Sequence, residues 1–272
     1  MTSRSGAGGR LARVAPRLPA SFNTGIMMES RGRMSDAPPA LLVIFAKEPA
    51  PGRVKTRLCP PLTPEQAAIL YEQFLADVLA EMAPLPGLTL ALAYTADTAT
   101  AYFARLAPMA QLVAQQGRNL GERLQNAFAW GFQGGFSPIL IRNSDSPDLP
   151  GALVSAAREA LAAGGADVAL GPCPDGGYYL VGLNRFQPHL FQGIAWSTEQ
   201  VLAQTLEGAR RTGLAVHLLP PWPDLDTWAD LTAFARRAPA WDDPGAASRR
   251  LARKLIGDHG ADFPDRAPPD LT

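Results

Sequence analysis

The sequence predicts a three-layer α/β fold with a mainly parallel, doubly wound central sheet. Three observations carry that expectation. Leu41-Leu42-Val43-Ile44-Phe45-Ala46 is a short unbroken apolar run bounded by proline and charge, as in a strand covered on both faces. Strand-like runs then alternate with helix-like segments, which in one sheet calls for right-handed crossovers and parallel neighbours. Finally, the loops richest in charge and glycine follow strands, at the edge where such sheets bind ligands.

Taken in order, 41–46 is expected inside the sheet. Thr63-Pro64-Glu65-Gln66 supplies an N-cap, a proline in the first turn and a capping-box glutamine, and apolar residues recur at helical spacing as far as Met82. Further strands are expected at 88–95, 111–115, 138–142, 167–171, 178–183 and 215–219, and helices at 120–132, 151–162, 198–211 and 227–235. Only a Pro/Gly-rich connection separates 167–171 from 178–183, so an antiparallel pair or a local break in the α/β rhythm is expected there.

With 47% hydrophobic residues in 272, the chain can build one substantial core. Lys+Arg and Asp+Glu both number 25. No global basic field therefore draws in nucleic acid or an anionic membrane, and any anion site must be local. Cys59 and Cys173 match neither a metal spacing nor a disulfide framework, and no apolar run approaches the ~18 residues of a membrane span. A cytoplasmic protein is expected. Residues 1–39 are Arg-rich and acid-poor and are expected to form a disordered extension, a plain tail or an over-extended start given Met27, Met28 and Met34. The domain is expected over 40–258, with a tail at 259–272.

The loop after the first strand, residues 47–58, holds Lys47, Arg53, Lys55 and Arg57 with Gly52. Arginine forks, a mobile lysine and a glycine that lets backbone amides approach suit a phosphate. Lys55-Thr56 has the final pair of a P-loop, but Val54 and Pro49 stand where that motif needs glycine, which excludes a P-loop kinase. The loop at 143–149 follows an apolar strand and carries Asp145 and Asp148. Mg²⁺ and Mn²⁺ prefer carboxylate oxygens shared with substrate phosphates, and Asp145 is the first candidate to hold one. Asp148 is a candidate cap for the next helix. In the loop after 167–171, Asp175 precedes Gly176 and Gly177, a pattern for close ligand approach or for an unusual turn. Asp224, Asp226 and Asp230 add three acids, at least one expected to cap the helix near Thr227, and together these acids can complete a two-sided metal site facing the cationic loop.

The chain resembles the GT-A-like transferases associated with radical-SAM and selenodomain proteins, the arsenosugar-biosynthesis-type glycosyltransferases, and more distantly phospholactate and molybdenum-cofactor guanylyltransferases. The resemblance runs from about Leu41 to Leu231. It rests on Pro51-Gly52 with 55–58 (Lys-Thr-Arg-Leu), 119–124 (Asn-Leu-Gly-Glu-Arg-Leu), 144–149 (Ser-Asp-Ser-Pro-Asp-Leu), Gly171-Pro172 with 175–180 (Asp-Gly-Gly-Tyr-Tyr-Leu), Trp196-Ser197-Thr198, and 224–227 (Asp-Leu-Asp-Thr) with Asp230-Leu231. It implies a GT-A/Rossmann-like sandwich and nucleotide-diphosphate chemistry, with donor phosphates on Arg53, Lys55 and Arg57 and a metal on Asp145, Asp175 and Asp226 being further candidates. One departure is Asn143, where such proteins commonly carry glycine; the change would narrow the nucleotide site.

Arg123 is a candidate to face the donor or an ordinary helix arginine; Trp196 is a candidate to stack on sugar or acceptor or a core residue. His189, His217 and His259 have no ligand-like spacing. The expected function is a metal-dependent transferase in which Lys55, Asp145 and Asp175 serve catalysis. It would use Mg²⁺ or Mn²⁺, a nucleotide or nucleotide-sugar donor and a small-molecule acceptor. Glycosyl transfer is favoured over nucleotidyl transfer, with a non-catalytic nucleotide-binding protein as the third reading.

Overall fold

The computed structural model describes residues 38–95, 99–237 and 243–260. The extension expected over 1–39 lies outside the described residues except for its last two, and the tail expected at 259–272 except for its first two. The strands are β1 (Ala40–Ala46), β2 (Leu88–Tyr94), β3 (Gln111–Ala114), β4 (Ile139–Arg142), β5 (Val168–Pro172), β6 (Tyr178–Leu183) and β7 (Val216–Leu218). The helices are α1 (Pro64–Met82), α2 (Thr100–Leu106), α3 (Leu120–Gln133), α4 (Gly151–Ala162), α5 (Val201–Arg211), α6 (Trp228–Arg236) and α7 (Ala246–Gly257).

They form one seven-stranded sheet in the order β3-β2-β1-β4-β6-β5-β7. β1 is parallel to both neighbours, with Leu42 beside Leu90 on one side and Leu140 on the other. The exception is β6, antiparallel to both β4 and β5. The short link from β5 cannot hold a crossover helix, so the chain returns as a hairpin.

Alternation along β1 sorts the core into two layers. Leu42 and Ile44 pack with Phe74, Leu75 and Val78 of α1, while Leu41 and Val43 pack with Leu124 and Phe128 of α3. Burial on both faces explains the unbroken apolar sequence of β1. The anticipated capping box starts α1: the Thr63 side chain accepts from the Gln66 amide at 3.2 Å, and Gln66 Oε1 accepts from the Thr63 amide at 2.9 Å.

Two helices were not expected. α2 has only seven residues, too few for a clear period. α7 buries Ser248 and Arg249 beside Ala252, Leu255 and Ile256, so polar residues interrupt its apolar stripe. Arg249 lies over the Phe234 ring at 4.9 Å and pairs with Asp243. The helix expected from 198 begins at Val201, because the Thr198 hydroxyl instead donates to the Ala195 carbonyl in a turn. Among the described residues no helix is long and apolar enough to cross a membrane.

Candidate active site

The parallel strands β1 and β4 point their carboxyl ends at the same side, so the loops 47–58 and 143–149 meet there. They open a cleft of about 770 Å³, lined also by the turn after β3, the start of α3, and parts of 175–179, 196–201 and 224–226.

At its floor, Lys55 adopts a left-handed φ of 48°, which turns its side chain inward until 3% of it is exposed. Its Nζ lies 2.5 Å from Asp145 Oδ1 and 3.0 Å from Asp226 Oδ1, and 5.5 Å from the centre of the Phe74 ring. Burial works against the charged lysine, but the two carboxylates outweigh it and raise its pKa. Burial likewise opposes the Asp145 carboxylate, and Lys55 overcomes it and lowers that pKa. The structure thus brings together three sequence-predicted site residues from three loops, Lys55 and Asp226 being 171 positions apart.

Asp224, expected only as one acid of a group, has a set of partners that the sequence did not indicate. Its carboxylate accepts from Asn143 Nδ2 at 2.9 and 3.0 Å and from Ser146 Oγ at 2.7 Å. Burial, and then the Asp145 charge, push it up to about 6. Asn143 also accepts from the Asp145 amide through Oδ1 at 3.2 Å. Asn143 therefore ties the β4 loop to the 224–226 segment. Behind them Arg142 is buried, donating to the carbonyls of Asn143 at 2.8 Å and Ser146 at 2.7 Å. Tyr71 of α1 was missed as well. Its hydroxyl meets Ser144 Oγ at 2.7 Å and accepts from the Lys47 amide at 3.1 Å, and burial pushes its pKa up to about 12. A phenol within an apolar helix face was the available signal, since a buried Tyr hydroxyl needs a partner.

The rim is exposed. Arg53 and Arg57 line the cleft, with Arg57 Nη1 3.7 Å from Asp226 Oδ2. Gly52 takes a φ of +73° with open space around it and permits the turn that presents them. Arg118 is held by Glu122 at 3.0 Å. Arg123 lines the cleft while its Nε donates to the Gly117 carbonyl at 3.1 Å, so it also braces the turn after β3.

On the remaining wall, Asp175 and Gly177 line the cleft and Asp175 Oδ1 accepts from the Gly177 amide at 3.0 Å. Gly176 is accounted for by packing: at φ +87° a Cβ would stand 2.0 Å from the Glu199 carbonyl oxygen. Trp196 is half-buried, one part against α3, where a Cβ on Gly121 would come within 2.4 Å of Nε1, and another on the cleft. Trp196 thus packs against the core with one part and lines the cleft with another. The capping role expected of Asp148 is not: Pro150 is the N-cap of α4, with no side-chain cap. Asp148 is buried and instead accepts from Trp222 Nε1 at 3.1 Å and pairs with Arg237 at 2.5 Å, so its carboxylate is taken up by tertiary partners. Thr227 caps α6, with Asp230 completing its capping box.

Among the described residues no three His, Cys, Asp or Glu side chains form a ready-made metal cage. The donor set nevertheless suits a hard divalent cation, which is commonly held by one or two carboxylates and completed by phosphate and water. Asp145 and Asp226 converge on one cationic position, and Asp224 adds a third carboxyl close to Asp145.

A family profile described as an uncharacterized protein conserved in bacteria (DUF2064) matches residues 78–198. A solved structure from Desulfovibrio desulfuricans G20, provisionally assigned as a nucleotide-diphospho-sugar transferase, is 36% identical with a TM-score of 0.74, over 82% of this chain and 99% of that one. The inositol-1-phosphate CTP transferase of T. maritima is 14% identical, covering 85% of this chain and 100% of that chain at a TM-score of 0.44. Rv0371c of Mycobacterium tuberculosis H37Rv, in complex with manganese, is 17% identical, covering 72% and 97% at a TM-score of 0.45. No curated protein matches the chain.

Proposed function

Because the chain belongs to the family of the Desulfovibrio desulfuricans protein, we propose that it is a metal-dependent transferase using a nucleotide-linked donor, specifically a nucleotide-sugar glycosyltransferase. The observation that carries this reading is the convergence of Asp145 and Asp226 at the floor of a cleft rimmed by Arg53 and Arg57. Departure of a nucleoside diphosphate leaves two negative phosphates, and a cleft that catalyses it must neutralise them as they form. Arg53 and Arg57 bind the phosphates from the rim, and Lys55 reaches them from below. Asp145 and Asp226 would hold Mg²⁺ or Mn²⁺, which when bound supplies further neutralisation of the leaving group. Asp175, whose Oδ1 accepts from the Gly177 amide at the cleft wall, would take the proton of an acceptor hydroxyl. Arg123 and Gly177 border the donor, and Trp196 offers a face for a sugar or acceptor. Two free cysteines suit a cytoplasmic setting.

A second reading, nucleotidyl transfer from a nucleoside triphosphate, is favoured by one observation. Lys47, Arg53, Arg57, Arg118 and Arg123 all line the cleft, enough cations for three phosphates. Chromatography separates the readings by leaving group. Incubated with nucleotide sugars and Mn²⁺, the protein should release nucleoside diphosphate, slowly to water and faster with an acceptor. Metal-dependent pyrophosphate release from a triphosphate, with no nucleotide-sugar turnover, would reverse the order.

A further inference from the structure

We infer that Lys55 and the divalent cation compete for the Asp145–Asp226 pair, and that the donor's phosphates relieve the competition by giving the displaced ammonium a new anionic partner. The inference rests on the metal site proposed above and adds an order of events to it. Lys55 Nζ lies on both carboxylates, at 2.5 and 3.0 Å. An ammonium there occupies the position from which a cation would bind both, and two positive centres cannot share it at contact distance without strong repulsion.

The geometry allows the ammonium to leave without moving the backbone. Val54 and Leu58 on either side of Lys55 are buried at 4% and 0% exposure, which anchors the segment. The lysine stem has four rotatable carbons, and Arg57 Nη1 lies 3.7 Å from the same Asp226 carboxylate that Lys55 holds at 3.0 Å, so a phosphate drawn to Arg57 arrives beside the ammonium. With no phosphate present, displaced Lys55 would face Arg53 and Arg57 in a cationic rim. With a diphosphate present, it gains a charge-assisted partner and leaves both acids to the metal. Metal alone should therefore bind weakly, diphosphate should tighten it, and by reciprocity the metal should tighten diphosphate by the same factor.

Mn²⁺ binding followed by paramagnetic resonance, with inorganic pyrophosphate as the phosphate probe and free Mn²⁺ corrected for its complex with pyrophosphate, tests this directly. Lys55→Met should bind Mn²⁺ alone about 10-fold more tightly than the native protein, while the tightening brought by pyrophosphate shrinks. Equal or weaker Mn²⁺ binding by a folded Lys55→Met variant overturns the competition and leaves the metal site standing. Failure of the native protein to bind Mn²⁺ even with pyrophosphate overturns both. Should Lys55→Met not fold, the native protein carries its own reporter, because Lys47, Lys55 and Lys254 are its only lysines. With ¹³C-labelled lysine, the Lys55 Cε resonance should shift when Mg²⁺ and pyrophosphate are added together; a stationary resonance overturns the inference.

Discussion

The floor and the rim of the cleft are built on opposite plans. At the floor, Lys55 and Arg142 are buried and Asp145 and Asp224 partly so; Lys55, Asp145 and Asp224 find partners far away in sequence, while Arg142 braces the carbonyls of its own loop. At the rim, Arg53 and Arg57 stand exposed on a local turn opened by Gly52. Buried charges hold one another's geometry and are costly to orphan, whereas exposed charges add little to stability and remain available to a ligand. The fold should therefore depend on the floor, and anion affinity on the rim.

The severest test of that division is Arg142→Met. Its guanidinium holds two loop carbonyls among acids, and although burial brings its pKa down to about 10 it is still charged at neutral pH. Its loss leaves unpaired carbonyls beneath uncompensated carboxylates and should cost about 3–5 kcal/mol, read by denaturant unfolding. A loss under about 1 kcal/mol would mean the floor is not a structural unit.

Asp145→Asn sharpens the comparison, since Asp145 belongs to both the scaffold and the proposed metal site. Lys55 keeps Asp226, so the stability loss should stay smaller than for Arg142→Met. Mn²⁺ affinity in the presence of nucleotide should nevertheless fall at least about 100-fold, exceeding the usual effect of removing a mere supporting residue. Retained affinity would move the metal to Asp175 or elsewhere.

Rim variants should show the reverse pattern. Arg53→Ala and Arg57→Ala should each weaken nucleoside diphosphate binding by about 1.5–3 kcal/mol, leave nucleoside binding unchanged, and shift stability by no more than about 0.5 kcal/mol. Calorimetry and thermal melts together decide this, and a melting loss without an affinity loss would invert the assignment.

The same contrast explains what could be read from the sequence. Periodicity exposes β1 and α1 because each repeats one local rule, and the cationic loop shows itself as four positive residues within eleven positions beside a strand end. The Lys55–Asp226 contact spans 171 positions and obeys no local rule, so the sequence could set the acids opposite the cationic loop without showing which side chains meet. Asp148 illustrates the reverse error. Its place before Pro150 suggests a cap, and only tertiary packing brings Trp222 and Arg237 to its carboxylate.

The last effect concerns Asp224, a floor residue whose charge is unwelcome. Burial and the neighbouring Asp145 raise its pKa from 3.8 to about 6, despite the hydrogen bonds from Ser146 and Asn143 that favour the ionised form. Between those two values the folded protein keeps a proton that the unfolded chain has released. Stability contributed by this group is therefore present at low pH and declines as pH rises through that window, becoming flat above about 6. Asp224→Asn cannot titrate and should remove that slope, about 2–3 kcal/mol across pH 4 to 7, whatever it does to absolute stability by turning an amide toward Asn143. Melting curves of both proteins from pH 4 to 7 read the difference, which carries the titration of Asp224 together with its effect on the neighbouring Asp145. A native-minus-variant difference that stays constant across the range would mean that Asp224 ionises normally and that the floor tolerates its third carboxylate without strain.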